Sequence, residues 1–220
     1  MKPIVKKKPG GHYSWHDYMS WPNDERWEII GGVAYNMSPA PSIKHQTIAG
    51  KIYSRLEQKL AGKPCTPLIA PTDVVISEHD VVQPDVLVVC DPNKMTSANI
   101  QGAPDLVVEV LSPATALKDL REKKALYERY GVKEYLIFDP VGLYAQRFYL
   151  EEGGRYGQGE LFGAQELLLL KTFPDVEIKL WEICEVEPPP EQQTGSMAVN
   201  GVRVNGNPSI PFLREEGDDA

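Results

Sequence analysis

The 220-residue sequence predicts an α/β fold in which a mixed β-sheet is flanked by helices. Short Val- and Leu-rich runs between turn residues indicate buried strands, and two longer runs with helical spacing of apolar residues indicate amphipathic helices. A hairpin pattern near the N-terminus precedes a strand–helix–strand order, which favours a sheet that combines antiparallel and parallel neighbours.

The elements follow in chain order. Ser14 can open a short helix over residues 14–20, and WEIIGGVAYNMS at 27–38 predicts a hairpin with Gly31-Gly32 as its turn. Ser42 can cap a helix over residues 42–62. Further strands are predicted at 67–77, 84–90, 105–111, 134–139 and 144–150, and a second long helix from Thr115 to Tyr130.

Composition divides the chain into three segments. Residues 1–13 predict a flexible basic arm, residues 14–186 a folded domain, and residues 187–220 a flexible tail that is rich in proline and ends in acids. The net charge of −8 argues against general, sequence-blind adhesion to nucleic acid, although a local basic patch is compatible with it.

The cysteines and the apolar runs indicate the cellular compartment. The three cysteines form no C-x-x-C pair, so they predict neither a zinc site nor a disulfide framework but reduced thiols. The N-terminus has no apolar signal region, and no apolar run is long enough to span a bilayer. We therefore expect a cytoplasmic protein without a membrane partner.

Two carboxylates interrupt apolar strands. Asp85 opens the strand VLVV directly after Pro84, and Glu109 lies in the middle of DLVVEVL. A buried ionised carboxylate costs several kcal/mol unless a partner or a metal compensates the lost hydration. If the two strands are neighbours, both carboxylates converge at one end of the sheet and suit a hard cation such as Mg²⁺. A turn residue for Asp85 and a structural ion pair for Glu109 are the alternatives.

A lysine falls on the apolar face of the second long helix. On an α-helical wheel Lys123 lies in the middle of the stripe formed by Leu120 and Tyr127, whereas Lys124 lies at its edge and Lys118 on the polar side. A lysine on a core face either extends its amine to solvent or meets a carboxylate. Lys123 is thus predicted either to pair with Glu109 structurally or to join the same site, where it would stabilise charge on a phosphoryl group.

These residues together resemble the PD-(D/E)xK nuclease superfamily, the fold of many restriction endonucleases. Pro84-Asp85 matches its first element and Glu109-Val110-Leu111 its second, with Leu111 in the place of the lysine. The run EVLSP…LREKKALYERYGVKEYLIFDP is similar to the Uma family of restriction-endonuclease-like proteins, in which the lysine has moved to the following helix. The resemblance covers roughly residues 15–180 and favours Lys123 over Lys124.

The resemblance implies a restriction-endonuclease-like mixed sheet and a Mg²⁺-dependent endonuclease acting on DNA. Asp85, Glu109 and the backbone carbonyl of Val110 would hold Mg²⁺, with Mn²⁺ as a substitute, and Lys123 would complete the catalytic set. Relatives of this kind often dimerise to cut both strands, so a homodimer is expected. The family also has a glutamate at the place of Glu28 and a histidine at the place of His45.

Secondary candidates keep their alternatives. Glu28 is either a further acid of the site or an exposed strand-end residue, and His45 shares the apolar face of its helix either as a core residue or as a supporting group. A stripe on the same helix predicts either a phosphate-tracking surface or a solvated face, and it consists of Lys44, Lys51, Arg55 and Lys59.

Two other functions compete with DNA cleavage. Loss of the lysine from the second strand and the acidic net charge are compatible with a nucleic-acid-binding or interaction module that keeps the fold without catalysis. A metal-dependent hydrolase of another phosphoester is the third possibility. Titration with a divalent metal separates the binding module from both hydrolases, and a comparison of substrates separates the hydrolases from each other.

Overall fold

The computed structural model describes residues 5–22, 24–37 and 40–190. The predicted tail lies outside the described residues from residue 191 onward, as do residues 1–4 of the predicted arm. In chain order the helices and strands are β1 (Val5–Lys7), α1 (Trp15–Met19), β2 (Trp27–Ile30), β3 (Val33–Asn36), α2 (Ile43–Leu60), β4 (Thr66–Ile69), β5 (Val74–Ser77), β6 (Asp80–Val82), β7 (Val86–Val89), a 3₁₀ helix (Pro92–Lys94), β8 (Ile100–Gln101), β9 (Leu106–Val110), α3 (Ala116–Lys118), a π-helical turn (Asp119–Lys123), α4 (Lys124–Tyr130), β10 (Glu134–Asp139), β11 (Tyr144–Tyr149), β12 (Glu160–Gly163), β13 (Leu167–Leu169), β14 (Glu177–Lys179) and α5 (Leu180–Cys184).

A six-stranded mixed sheet forms the centre of the domain, in the order β12-β11-β10-β9-β7-β4. Strands β9 and β10 run parallel, and the other neighbours run antiparallel. The connection between the two parallel strands contains α3, the π-helical turn and α4. Parallel neighbours need a long crossover of this kind, which is usually helical. The predicted α/β fold with a mixed sheet is confirmed.

Both faces of this sheet are covered, which explains why its central strands are apolar throughout. Ile52 and Leu56 of α2 pack on one face, against Val108 and its neighbours. Leu126 and Tyr127 of α4 pack on the other face, together with residues of the second sheet. Because side chains alternate along a strand, Glu109 of β9 faces the α4 side.

The second sheet is built around the predicted hairpin, in the order β1-β3-β2-β6-β5-β8. Gly31 and Gly32 both have positive φ, 56° and 72°, as a two-residue hairpin turn of this kind requires. Strand β1 pairs with β3, and Lys8 forms an ion pair with Asp17 of α1. Residues 5–8 are therefore held to the domain by hydrogen bonds and charge, in contrast to the flexible arm that the sequence predicted.

Two of the three cysteines differ from the prediction of reduced thiols. Cys65 and Cys90 form a disulfide, and their Cα atoms lie 3.9 Å apart. The antiparallel register of β4 and β7 pairs Thr66 with Val89, which places the two cysteines side by side just beyond that pair. Cys184 is free and buried. Sequence spacing carried no sign of this pairing, because it depends on the register of the two strands.

The helices in the described part of the chain do not have the features of membrane-spanning helices. None of the helices in the described part of the chain combines the length and the apolar character needed to cross a membrane.

Candidate active site

The two candidate carboxylates lie on neighbouring strands, as predicted. Strand β7 pairs with β9 antiparallel, and Val86 lies opposite Val108. One step further along this register, Asp85 comes beside Glu109. Asp85 is anchored there because its Oδ2 accepts a 2.8 Å hydrogen bond from the Val110 N–H. The strand-end position of Asp85 is therefore fixed by the strand that carries Glu109.

Lys123 reaches this site from the helical connection. Its side chain is buried, and its Nζ donates to Glu109 Oε1 at 2.8 Å. Burial and the negative charges of Glu109, Glu28 and Asp119 act on it in opposite directions, and the carboxylates prevail, so the pKa of Lys123 lies well above its usual value. Lys123 is therefore a permanently charged ammonium, as a group that stabilises negative charge must be.

A π-helical turn from Asp119 to Lys123 sets the direction of this lysine. Hydrogen bonds from i to i+5 bring residues five apart onto one face, and Lys118 and Lys123 are five apart. The α-helical wheel placed Lys118 on the polar side, which is wrong, because Lys118 is only 5% exposed. Local departures of this kind are frequent at functional sites.

Glu28 of β2 is fully buried and binds both lysines. Its Oε2 accepts from Lys118 Nζ and its Oε1 lies 2.7 Å from Lys123 Nζ. The Gln83 N–H adds a 2.9 Å hydrogen bond. Burial would raise the pKa of Glu28, but Lys118 and Lys123 lower it to about 2. Glu28 is thus an ionised anchor for the two lysines, and the alternative of an exposed strand-end residue is wrong.

Glu109 lies in a different electrostatic environment. Burial raises its pKa, Lys123 lowers it, and the charges of Asp119, Asp85 and Glu28 raise it again, so that the pKa lies well above the usual value. The Tyr127 hydroxyl donates to the same Oε1 at 2.9 Å. Burial and the neighbouring carboxylates thus disfavour the ionised form of Glu109, and a cation bound beside it would favour that form.

His45 of α2 contacts the carboxylate of Asp85. Its Nε2 lies 3.1 Å from Asp85 Oδ2. Burial opposes the charged imidazole, but the hydrogen bond and charge of Asp85 and a hydrogen bond with the Val110 backbone raise the pKa of His45. His45 is therefore a buried residue on the predicted apolar face that also supports Asp85 and Val110.

The basic stripe on α2 is divided by the structure. Lys51 binds Glu185 and Arg55 binds Glu182, so both side chains hold the α5 region against α2. Lys44 lines the cavity described next, and Lys59 lies in the last turn of α2. Contact of this stripe with nucleic acid stays a prediction that rests on Lys44 and Lys59.

The carboxylates and lysines open onto a cavity of about 570 Å³. The charged and titratable residues among its lining groups are Arg26, Lys44, His45, Asp85, Glu109, Lys118, Asp119 and Lys123. The predicted site residues Asp85, Glu109, Lys123 and His45 therefore share one cavity, large enough to admit a phosphodiester group.

The donor chemistry of the cavity fits Mg²⁺. Within the described residues no group of three or more His, Cys, Asp or Glu side chains is arranged to hold a metal ion. Mg²⁺ does not require such a group, because it is commonly bound through one or two carboxylates while it keeps several waters. Asp85 and Glu109 supply two such carboxylates, which come from neighbouring strands and line the same cavity.

Sequence reasoning missed two members of the site, Lys118 and Asp119. Both are buried and line the cavity. Lys118 forms an ion pair with Glu28, and Asp119 Oδ1 lies 3.8 Å from Lys123 Nζ. Both stand within the charged stretch LKDLREKK, and the α-helical wheel assigned Lys118 to the polar side, so neither residue had a separate signal in the sequence. Only the π-helical turn brings them to the cavity.

Comparison with known proteins adds three findings. A family model described as "Uma2: Putative restriction endonuclease" matches residues 15–187. An uncharacterized protein from Synechocystis sp. is 27% identical over 156 residues, which cover 69% of this chain and 78% of that protein. The crystal structure of "a putative nuclease belonging to DUF820" from Anabaena variabilis superposes with a TM-score of 0.65 at 16% identity, over 78% of this chain and 97% of that one. At this identity the superposition supports the fold.

Proposed function

The chain belongs to the Uma2 family, described as "Putative restriction endonuclease", and we propose that it hydrolyses phosphodiester bonds of DNA with the help of a divalent cation. The observation that carries the proposal is the convergence of two carboxylates from neighbouring strands, Asp85 and Glu109, on one cavity. Asp119 lines the same cavity, and Lys123 is the ammonium that Glu109 and Asp119 share.

Asp85 and Glu109 would hold Mg²⁺, or Mn²⁺ in its place, and the backbone carbonyl of Val110 would be a further ligand. Such an ion polarises a phosphoryl oxygen and lowers the pKa of a bound water. The protein contributes the positions of the ligands: the Val110 N–H fixes Asp85, and the Tyr127 hydroxyl fixes Glu109. Rigid placement of this kind is the main requirement of electrostatic catalysis.

Lys123 would stabilise the negative charge that develops on the phosphoryl group. Leu111 stands where a lysine follows the second carboxylate in the superfamily pattern, so an ammonium must come from another element. The π-helical turn supplies it, because it places Lys123 Nζ 2.8 Å from Glu109 Oε1. Glu28 holds this lysine from behind at 2.7 Å and keeps its orientation fixed.

The assembly and location follow from the same proposal. Cleavage of both strands of a duplex needs two active sites, which a homodimer would supply, and a cytoplasmic location would give access to DNA. Sedimentation equilibrium of the purified protein tests the dimer, and a monomer at all concentrations would limit one molecule to cutting a single strand at a time.

The decisive experiment compares substrates with and without metal. The purified chain is incubated with supercoiled plasmid, single-stranded DNA, RNA and a small phosphodiester, in Mg²⁺, in Mn²⁺ or in chelator, and Glu109→Gln serves as the matched inactive variant. We expect metal-dependent nicking of DNA by the wild type alone. Cleavage of only the small phosphodiester would favour the hydrolase of another phosphoester. Binding of DNA without any cleavage would favour the nucleic-acid-binding module.

A further inference from the structure

Asp119, at the start of the π-helical turn, has a carboxylate oxygen that accepts no hydrogen bond from any described residue. The residue is 2% exposed and lines the cavity. Its Oδ1 has no hydrogen-bond partner among the described residues. Leaving a buried carboxylate oxygen unpaired is costly, since the lost hydration is not replaced. A donor from within the cavity is therefore required.

The rest of Asp119 is held firmly. Its N–H donates to the Thr115 carbonyl at 3.0 Å, and its carbonyl oxygen accepts from the buried Tyr135 hydroxyl at 3.0 Å. The Thr115 side chain also hydrogen-bonds the Asp119 carboxylate. The backbone of Asp119 is consequently held by two hydrogen bonds, and its carboxylate lies in the cavity with Oδ1 on the side of Lys123.

The distance between Asp119 Oδ1 and Lys123 Nζ is compatible with a water molecule bound to both. Asp119 Oδ1 and Lys123 Nζ lie 3.8 Å apart, which is too far for a direct hydrogen bond and suits two groups that share a water. The same Nζ lies 2.8 Å from Glu109 Oε1. A water between Lys123 and Asp119 would thus sit beside the carboxylate that is proposed to hold the metal ion.

The electrostatic surroundings favour proton acceptance. Burial raises the pKa of Asp119, the ammonium groups of Lys123 and Lys118 lower it, and the charge of Glu28 raises it, with a net rise. The charge of Asp119 in turn raises the pKa of four further titratable groups around it, Glu109, His45, Tyr127 and Tyr135. A carboxylate with a raised pKa is a stronger base than an exposed one, which brings it closer to the pH at which general bases work best.

We propose that Asp119 is the catalytic base, a role that rests on the proposed hydrolysis of phosphodiesters. A water bound between Lys123 and Asp119 gives one proton to Asp119 Oδ1 while its oxygen forms a bond to phosphorus. The phosphorus–oxygen bond to the leaving group breaks, and the departing oxygen takes a proton from solvent. Asp119 returns its proton to solvent before the next turnover, so atoms and charges balance over the cycle.

The test uses Asp119→Asn, which keeps the shape of the side chain and removes its basicity. We expect kcat to fall by about 10²–10⁴-fold, the usual contribution of general-base catalysis, while calorimetry shows an unchanged affinity for Mn²⁺. Glu122→Gln is the matched control, because it removes an exposed carboxylate from the same turn. Its kcat should stay within a factor of about two of the wild type.

A second variant separates a base from a structural residue. Asp119→Ala leaves space in the cavity, so added formate should restore part of its activity, and rescue should increase with formate concentration. Formate should not change the rates of wild type or Glu122→Gln. An Asp119→Asn enzyme with wild-type kcat would overturn the proposal, and so would loss of Mn²⁺ binding in that variant, which would make Asp119 a metal ligand.

Failure of the proposed function gives a different result. If the wild type cleaves DNA and Asp119→Asn cleaves it equally well, the nuclease stands and the base is wrong. If the wild type cleaves no nucleic acid but hydrolyses bis(p-nitrophenyl) phosphate and Asp119→Asn does not, the base stands and the substrate is wrong. If the wild type hydrolyses neither, both the proposed function and the catalytic base are refuted.

Discussion

Lys123→Met tests whether the buried ammonium holds the site together. Methionine keeps an unbranched apolar side chain of similar length and removes the charge. In the folded protein Lys123 Nζ lies 2.7 Å from Glu28 Oε1 and 2.8 Å from Glu109 Oε1, with all three side chains buried. The variant therefore leaves two buried carboxylates without the cation that they share.

The size of the effect follows from this burial. Removing one partner of a buried ion pair costs about 3–5 kcal/mol, because the remaining charge stays desolvated and uncompensated. Glu28 keeps Lys118, whereas Glu109 keeps the hydroxyl of Tyr127 as its one hydrogen-bonding side chain among the described residues. We therefore expect the free energy of unfolding to fall by about 3–5 kcal/mol near pH 8, with most of the loss at Glu109.

The stability loss of Lys123→Met should depend on pH. Without Lys123 the pKa of Glu109 in the folded protein rises further above its value in the unfolded chain. The folded protein is therefore destabilised as pH rises and Glu109 ionises, and it regains stability at lower pH, where Glu109 is protonated. Urea denaturation followed by circular dichroism at pH 8 and pH 5 should show a smaller loss at pH 5.

Lys124→Met is the matched control for this measurement. Lys124 is half-buried and its Nζ lies 4.4 Å from the centroid of the Phe148 ring, so the expected loss is about 1 kcal/mol or less at both pH values. The buried ion pair would be refuted if Lys123→Met were as stable as the wild type at pH 8. It would also be refuted if Lys123→Met lost no more unfolding free energy than Lys124→Met.

Three further predictions concern the site and its scaffold. Lys123→Ala should abolish DNA cleavage and Lys124→Ala should keep most of it in a gel assay, since the two side chains point in different directions; equal loss would contradict the assigned direction. Reducing the Cys65–Cys90 disulfide, which closes a separation of 25 residues, should remove about 3 kcal/mol and lower the thermal midpoint, whereas an unchanged midpoint would argue against the bond. Glu109→Gln should raise the thermal midpoint of the metal-free protein more at pH 8 than at pH 4, because the raised pKa of Glu109 makes its ionisation destabilising as pH rises. An identical gain at both pH values would contradict that electrostatic assignment.

Much of the fold was readable because local signals agreed with tertiary structure. Ser14 caps α1 and Ser42 caps α2 as their positions predicted, and the hairpin turns at Gly31-Gly32. Adjacency of the strands of Asp85 and Glu109 was expected from the resemblance to the PD-(D/E)xK superfamily, and the pairing of β7 with β9 agrees with it. The caps and the hairpin turn depend on residues close together in the sequence, so tertiary packing does not alter them.

Other features depended on geometry that the sequence does not encode locally. The π-helical turn brings Lys118 and Asp119 to the cavity, and an α-helical wheel cannot show a change of helical hydrogen bonding. The disulfide depends on the register of β4 and β7, which is set by packing. Lys51 and Arg55 were predicted as part of a surface stripe, but they pair with Glu185, just after α5, and with Glu182 of α5.

The most direct test of the proposed site is the position of a bound cation. Crystals of the wild type soaked in Mn²⁺ should show an anomalous difference peak within ligand distance of Asp85 and Glu109, and calorimetry should show the same binding in solution. Asp85→Asn crystals soaked in parallel should show no peak at that position. Clear wild-type density for Asp85 and Glu109 with no anomalous peak between them, together with no heat of Mn²⁺ binding, would contradict the metal-dependent site.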